Sequence, residues 1–271
     1  TNLLQAKDRR IFPVNPNRKA VLGHECFQHI GGIADPIDCA VIATPAREVP
    51  GVVEECGKAG IGGAVIFSAG FQELGEEGKL LEQRIIAARK RYGMRVLGPN
   101  CMGFVRPNVG LNATFMRTNP PPGHIAFISQ SGALDSALLD WAIAKDVGFS
   151  MFASLGAMID LDFGDFIDFL GQDDDTRSIL LYMESVGNAK KFMSAARAFA
   201  VRKPIIVVKP GRYMESAKTA GYLAGAMAGD DAVYEAAFKR VGVVRVKEFA
   251  DLISTAEILD SRNLPWGPRL A

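Results

Sequence analysis

The chain is poor in the residues from which metal centres, disulfide frameworks and membrane spans are made. Its four cysteines, Cys26, Cys39, Cys56 and Cys101, include no Cys-x-x-Cys pair, so their spacing indicates neither a zinc site nor a disulfide scaffold. Histidine is scarcer: there are three in 271 residues, His24, His29 and His124. Few positions are therefore open to imidazole chemistry. No apolar run approaches the roughly 20 residues that cross a bilayer, and the opening Thr-Asn-Leu-Leu-Gln-Ala lacks a signal-peptide core. Neither sign of charge prevails, with 31 Lys and Arg against 30 Asp and Glu. That balance gives no electrostatic case for nucleic acid or a membrane surface as partner. No internal repeat or low-complexity tract is evident, and the cytoplasm is the expected compartment.

What is present is alternation. Short apolar runs at 11–15, 39–43, 64–68, 95–97, 125–129, 149–154, 178–183, 205–209 and 243–246 read as strands. Helical patterns at 48–58, 75–91, 133–145, 189–201, 232–239 and 249–259 separate them. Continuous apolar strands with helices between them predict parallel sheets covered on both faces, an α/β chain of two doubly wound domains. Three consecutive prolines, Pro120 to Pro122, suit a boundary between domains at 1–120 and 121–260. The first domain reads as Rossmann-like without its first strand and Gly-rich turn, because the chain opens in what resembles the tail of the first helix. Residues 261–271 read as a linker towards a further domain.

Four strand ends in the first domain carry Pro, Gly or a small hydroxyl residue. They are Val14-Asn-Pro16, Ala43-Thr-Pro45, Ser68-Ala-Gly70 and Gly98-Pro-Asn-Cys-Met-Gly103. Each alone is also an ordinary βα turn; four in succession favour a nucleotide-like ligand at the carboxyl edge of a parallel sheet. In the second domain, Ile-Ser-Gln-Ser-Gly-Ala-Leu at 128–134 feeds a strand into a helix through Ser131 and Gly132. Read alone this is a helix cap, and Glu184 in Leu-Tyr-Met-Glu-Ser-Val-Gly-Asn is a polar strand end.

Together the Gly98–Gly103 loop, the 128–134 motif and Glu184 resemble the NDP-forming (ADP-forming) acyl-CoA synthetases, relatives of the succinyl-CoA synthetase α subunit. The resemblance runs from Val-Asn-Pro-Asn-Arg-Lys at 14–19 to Val243–Val246. It implies a CoA-binding Rossmann-like domain followed by a flavodoxin-like CoA-ligase domain. It further implies that Val14, Pro16, Arg18, Lys19, Thr44, Pro45, Ser68, Gly70, Asn100 and Cys101 contact CoA or acyl-CoA, with the basic residues facing its phosphates. Cys101 is then a small residue beside the thiol end rather than a nucleophile, since no basic partner lies near it in sequence. Ser131, Gly132 and Ala133 would present helix N–H groups to the phosphate of a phosphohistidine, and Glu184 would orient that histidine.

The histidine is missing. Aligning Gly225-Ala-Met-Ala-Gly229 with the family's Gly-Ala-x-Ala-Gly puts Tyr222, Leu223 and Ala224 where active relatives have Ser-His-Thr. Leucine has no lone pair and accepts no phosphoryl group. His24 and His29 fall in the first domain, and His124 lies at the amino edge of its strand, a strand length of roughly 17 Å from the helix start. The resemblance therefore leads to two readings. One is a CoA-binding regulatory module from the histidine-lacking branch fused to GNAT-type protein lysine acetyltransferases, with Glu184 vestigial. The other is the α portion of an ADP-forming acetate or acyl-CoA ligase, meeting ATP, ADP and Mg²⁺ only through an ATP-grasp domain or subunit. Family members also assemble into oligomers. An NAD(P) protein would carry an acidic residue about 20 residues past its Gly turn; here Arg18 and Lys19 follow Pro16, which suits phosphate better.

Overall fold

The computed structural model describes residues 2–5, 9–210 and 231–260. Tyr222, Leu223, Ala224 and the expected linker 261–271 lie outside the described residues. Two compact units are formed, Thr1–Phe104 with Gly110–Met116 and Ser154–Leu161, and Val105–Val109 with Arg117–Ala153 and Asp162–Ala271.

In the first unit a hairpin pairs β1 (Ala20–Val21) antiparallel with β2 (His24–Glu25). Three parallel strands follow in the order β3 (Cys39–Ile42), β4 (Gly63–Ile66) and β5 (Arg95–Leu97). They are linked through helices α1 (Val49–Lys58) and α2 (Glu76–Tyr92). Val49, Val53 and Cys56 of α1 and Leu81, Ile85 and Ala88 of α2 recur at helical spacing and join one core with Ile42, Ile66 and Val96. The chain passes from the first unit to the second within β6 (Gly103–Arg106) and returns through β7 (Leu111–Thr114).

One member of the α2 stripe is out of keeping with this core. Glu82 is 5% exposed; its Oε2 accepts from Gln72 Nε2 at 2.8 Å, while its Oε1 is buried without a hydrogen-bond partner among the described residues. Burial pushes its carboxyl above the usual range, a push that the Gln72 bond opposes. A folded-state value above the unfolded one means that the native state holds the extra proton. Stability is therefore lost as pH rises from the unfolded value through the folded one. Glu82→Gln should raise stability by about 1 kcal/mol at neutral pH and have little effect near pH 3, well below the ordinary glutamate range, where the Glu82 carboxyl keeps its proton in the folded and unfolded chain alike. Urea midpoints measured at the two pH values check this.

The second unit contains β8 (Pro122–Ser129), α3 (Gly132–Ala144), β9 (Phe149–Ser154), α4 (Phe163–Gln172), β10 (Ser178–Tyr182), α5 (Ala189–Phe199), β11 (Ile205–Val208) and β12 (Val244–Val246). Helices Asp231–Val241 and Phe249–Asp260 flank β12. Strand order is β12-β11-β10-β8-β9, with β8, β10, β11 and β12 mutually parallel along that order. This is the flavodoxin-like winding, whose reversal point lies between β8 and β10. Ile125 to Ser129 of β8 are buried without a break, as are all residues of β9 and β11, as strands covered on both faces must be.

The expected strand at 11–15 does not form. Only Val14 makes an isolated bridge, to Phe27, because Pro13 and Pro16 remove ladder donors on either side. Five strands and helices lie beyond the sequence reading, β1, β2, β6, β7 and α4, together with short 3-10 turns at Ile30–Gly32, Gln72–Leu74 and Pro107–Val109. The remaining strands and helices agree with expectation to within a few residues at their ends. Among the described residues no helix is long and apolar enough to cross a membrane.

Candidate functional site

At the carboxyl edge of β3, β4 and β5 three loops are stitched together. Ser68 Oγ donates to the Thr44 carbonyl at 2.5 Å, and the Asn100 N–H donates to the Ser68 carbonyl at 2.9 Å. These bonds bring together Thr44, Ser68 and Asn100, which are 56 residues apart in sequence, at neighbouring strand ends. Gly70 adopts φ 104° and Gly98 φ 98°, conformations closed to most side chains. Gly70 N–H is held by Glu73 Oε1 at 2.6 Å. Asn100 also lies in the left-handed region, φ 56°, where asparagine is tolerated. Cys101 lies beneath the edge, 4% exposed, its thiol directed to the Ile66 carbonyl at 3.3 Å. At this edge Thr44 Oγ1 is buried and has no hydrogen-bond partner among the described residues, a state that costs about 1–3 kcal/mol unless something satisfies it.

The segment Ser154–Leu161 braces this edge from within the same unit. Leu161, Ile159 and Ala157 donate their N–H groups to Val96, Gly98 and Pro99. Asp160, with its side chain 5% exposed, accepts from Arg89 at 3.0 Å and Arg95 at 3.1 Å, and from the Val96 N–H at 2.8 Å. Gly156 is obligatory at the crossing: a Cβ there would overlap the Pro99 and Asn100 carbonyls. Nothing in the sequence pattern marked this brace.

Val14, Pro16, Arg18 and Lys19 are placed differently from the other expected contacts. They do not follow a sheet strand; the segment is tied through Asn15, Lys19 and Pro13 to Cys26 and Phe27. Arg18 and Lys19 are exposed beside the β1–β2 hairpin, and Pro45 is exposed at the end of β3.

In the second unit the loops at the reversal point converge through a residue that the sequence reading did not single out. Gln130 Oε1 accepts both the Glu184 N–H at 2.7 Å and the Ser185 N–H at 2.8 Å. Its Nε2 donates to Ser185 Oγ at 3.1 Å. The Ser131 N–H is taken by Ser129 Oγ at 2.9 Å, and the Ser131 side chain makes no cap bond. Asp135 N–H closes the first helical turn on Ser131, so the α3 N–H groups at Gly132, Ala133 and Leu134 precede any intrahelical partner. Ser131 thus occupies the N-cap position of α3, as read from the sequence, without a hydroxyl cap bond.

Glu184 is half-buried, and burial pushes its carboxyl up, a shift that Lys209 opposes. Lys209, at the end of β11, is 7% exposed. It donates to the Pro210 carbonyl at 3.1 Å and lies 4.7 Å from the centre of the Tyr234 ring. Burial lowers its pKa and the Arg245 charge adds to this, while Asp231 and Glu184 counter it. Arg245 in turn pairs with Asp231 at 2.5 Å and Glu235 at 3.2 Å. These side chains come from β12 itself, from the ends of other strands and from the helix before β12, so only the strand order could gather them.

None of the histidines joins this edge. His24 lies in β2 and His29 is exposed in the first unit. His124 is the third residue of β8, and its Nδ1 faces the Asp175 carbonyl at 2.9 Å, at the amino end of the strand. All four cysteines are free.

Residues 1–107 match a family described as "CoA binding domain", and residues 122–259 one described as "Succinyl-CoA ligase like flavodoxin domain". Acetate–CoA ligase [ADP-forming] I of Archaeoglobus fulgidus is 42% identical over 249 residues, 92% of this chain and 36% of that protein. The α subunit of acetate–CoA ligase [ADP-forming] I from Pyrococcus furiosus is 42% identical over 262 residues, 95% of this chain and 57% of that subunit. Among solved structures, the dinucleotide-forming acetyl-coenzyme A synthetase 1 of Ca. Korarchaeum cryptofilum, in complex with phosphate and ADP, superposes with a TM-score of 0.92 at 38% identity. That match covers 98% of this chain and 57% of the other. The chain thus spans less than two thirds of the length of each of these proteins.

Proposed function

The chain belongs to the family of ADP-forming acyl-CoA synthetase α subunits, with a CoA-binding and a succinyl-CoA ligase-like domain, and on that premise we propose that it is the CoA- or acyl-CoA-binding α portion of an acid–CoA ligase scaffold. The observation that carries the proposal is the stitched edge of β3, β4 and β5, where Thr44, Ser68, Gly70, Asn100 and Cys101 meet. The buried, unpartnered Thr44 hydroxyl fits a ligand group that would complete its hydrogen bonding, and the open glycine conformations fit close backbone approach. Arg18 and Lys19, exposed on their own segment, supply positive charge suited to phosphates.

In this reading the second unit keeps the α3 N-terminus that would face phosphate and Glu184, which would orient the carrier histidine, and loses the carrier itself, because Leu223 stands at the position that the sequence resemblance gives to that histidine. In this reading an ATP-grasp partner handles nucleotide and Mg²⁺, and no phosphoryl group is held covalently at position 223. The ligase relatives described above favour this over a regulatory module fused to a GNAT acetyltransferase, a reading that none of them supports. Titration calorimetry of the chain with CoA tests the proposal: saturable binding is expected, and no heat with either CoA or acetyl-CoA overturns it.

A further inference from the structure

Phe115 is 59% exposed, and its exposure is enforced. Its neighbours Thr114 and Met116 are 8% and 6% exposed. Asn2 Nδ2 donates to the Thr114 carbonyl at 3.0 Å and to the Met116 carbonyl at 2.7 Å. Asn112 Oδ1 accepts from Thr114 N–H at 3.0 Å and Oγ1 at 2.6 Å, and Thr114 Oγ1 accepts from Met116 N–H at 3.2 Å. Four hydrogen bonds to the Thr114 and Met116 backbone, with a fifth between the Asn112 and Thr114 side chains, therefore hold the chain on both sides of one outward aromatic ring.

That ring stands edge-to-face on Phe67, with centroids 5.2 Å apart and planes at 77°. Phe67 cannot retreat to make room, because it is backed by Gly103, where even a Cβ would come within 2.9 Å of the ring. Phe67 is the residue after β4 and directly precedes Ser68; Gly103 closes the loop that holds Asn100 and Cys101. The aromatic pair is thus tied to the stitched edge through Phe67, which directly precedes Ser68 and packs on Gly103 at the close of the Asn100–Cys101 loop. Holding a large apolar surface in water is unfavourable, and a dense bond set that maintains it suits a contact that covers the ring.

We propose that Phe115 and Phe67 form the wall against which the acyl group of a bound acyl-CoA lies, so that the ligand class is an acyl-CoA with an apolar, aliphatic or aromatic, acyl group. This rests on the reading of the edge as a CoA site. Offset and edge-to-face ring contacts contribute beyond area burial, and a benzoyl group seated here should gain about threefold to tenfold in affinity over CoA itself.

The test is calorimetry with CoA, acetyl-CoA and benzoyl-CoA on the wild-type chain and on Phe115→Ala and Phe115→Leu. Both substitutions are at an exposed ring and leave the fold intact, which circular dichroism checks. The expected result is a benzoyl-CoA preference in the wild type that Phe115→Ala abolishes and Phe115→Leu partly keeps, with CoA affinity unchanged within about twofold. Equal affinity of the wild type for CoA and benzoyl-CoA overturns the proposal and leaves CoA binding standing. So does a Phe115→Ala loss that is the same for both ligands, or no change at all, as when a protein partner covers the ring. Binding of neither ligand overturns the CoA reading itself and this proposal with it.

Discussion

Replacing Gly98 by alanine should weaken CoA binding by about tenfold or more, the equivalent of at least about 1.4 kcal/mol. Gly98 adopts φ 98°, a conformation that costs an L-residue on the order of 1–3 kcal/mol. A Cβ would also stand 2.5 Å from the Ile66 carbonyl oxygen and 3.0 Å from Cys101 Sγ. The first neighbour is backbone of the central strand and does not yield, so the loop itself must move. Asn100, whose N–H holds the Ser68 carbonyl at 2.9 Å, moves with it, and the link from Thr44 through Ser68 to Asn100 opens. Calorimetry of the variant with CoA, alongside circular dichroism to show retained fold, gives the reading. Unchanged affinity in a folded variant would remove the Gly98–Gly103 loop from the site.

Asp160→Ala should be among the most destabilising single changes in the first unit, at about 3–5 kcal/mol. The carboxylate side chain is 5% exposed and receives two guanidinium groups, Arg89 at 3.0 Å and Arg95 at 3.1 Å. Removing it leaves Arg89, whose side chain is 21% exposed, without that counter-charge. It also strips an acceptor from the Val96 N–H in β5. Asp160→Asn keeps an acceptor for Val96 while losing the charge, and is expected to fall between alanine and wild type. Urea unfolding followed by circular dichroism measures both. A loss below about 1 kcal/mol, the range of exposed pairs, would mean that the brace contributes no more than a surface ion pair.

Most of the α/β alternation was legible because buried parallel strands are apolar without interruption, as in Ile-Ala-Phe-Ile-Ser at 125–129. Helix α4 escaped for a specific reason. Phe163, Phe166, Ile167 and Leu170 are buried at helical spacing, yet Gly164 and Gly171 interrupt the run and lower its helical propensity. Those glycines are there for packing: a Cβ on Gly164 would press on Lys191, and one on Gly171 on the Phe199 ring. The Asp162–Asp165 capping box that starts the helix was the readable signal. β6 and β7 are each four residues long and carry too little pattern to separate from loop.

The site was legible where it follows strand ends and illegible where it depends on strand order. Thr44, Ser68, Gly70, Asn100 and Cys101 occupy turns whose composition announces close approach. Gln130, Lys209 and Arg245 acquire their roles only when β8, β10, β11 and β12 come to lie side by side, which residue spacing does not encode. Arg18 and Lys19 were expected after a sheet strand, and the prolines at 13 and 16 put them on a separate segment instead.

The direct measurement of whether this ligase scaffold still carries phosphate is incubation of the chain with radiolabelled acetyl phosphate and Mg²⁺, followed by acid-lability analysis of any protein-bound label. On the proposed reading, in which Leu223 takes the histidine's position, the wild-type chain is expected to remain unlabelled, while Leu223→His gains acid-labile phosphate. Stable labelling of the wild-type chain, released by acid, would contradict the account and return a phosphoryl carrier to a residue other than 223.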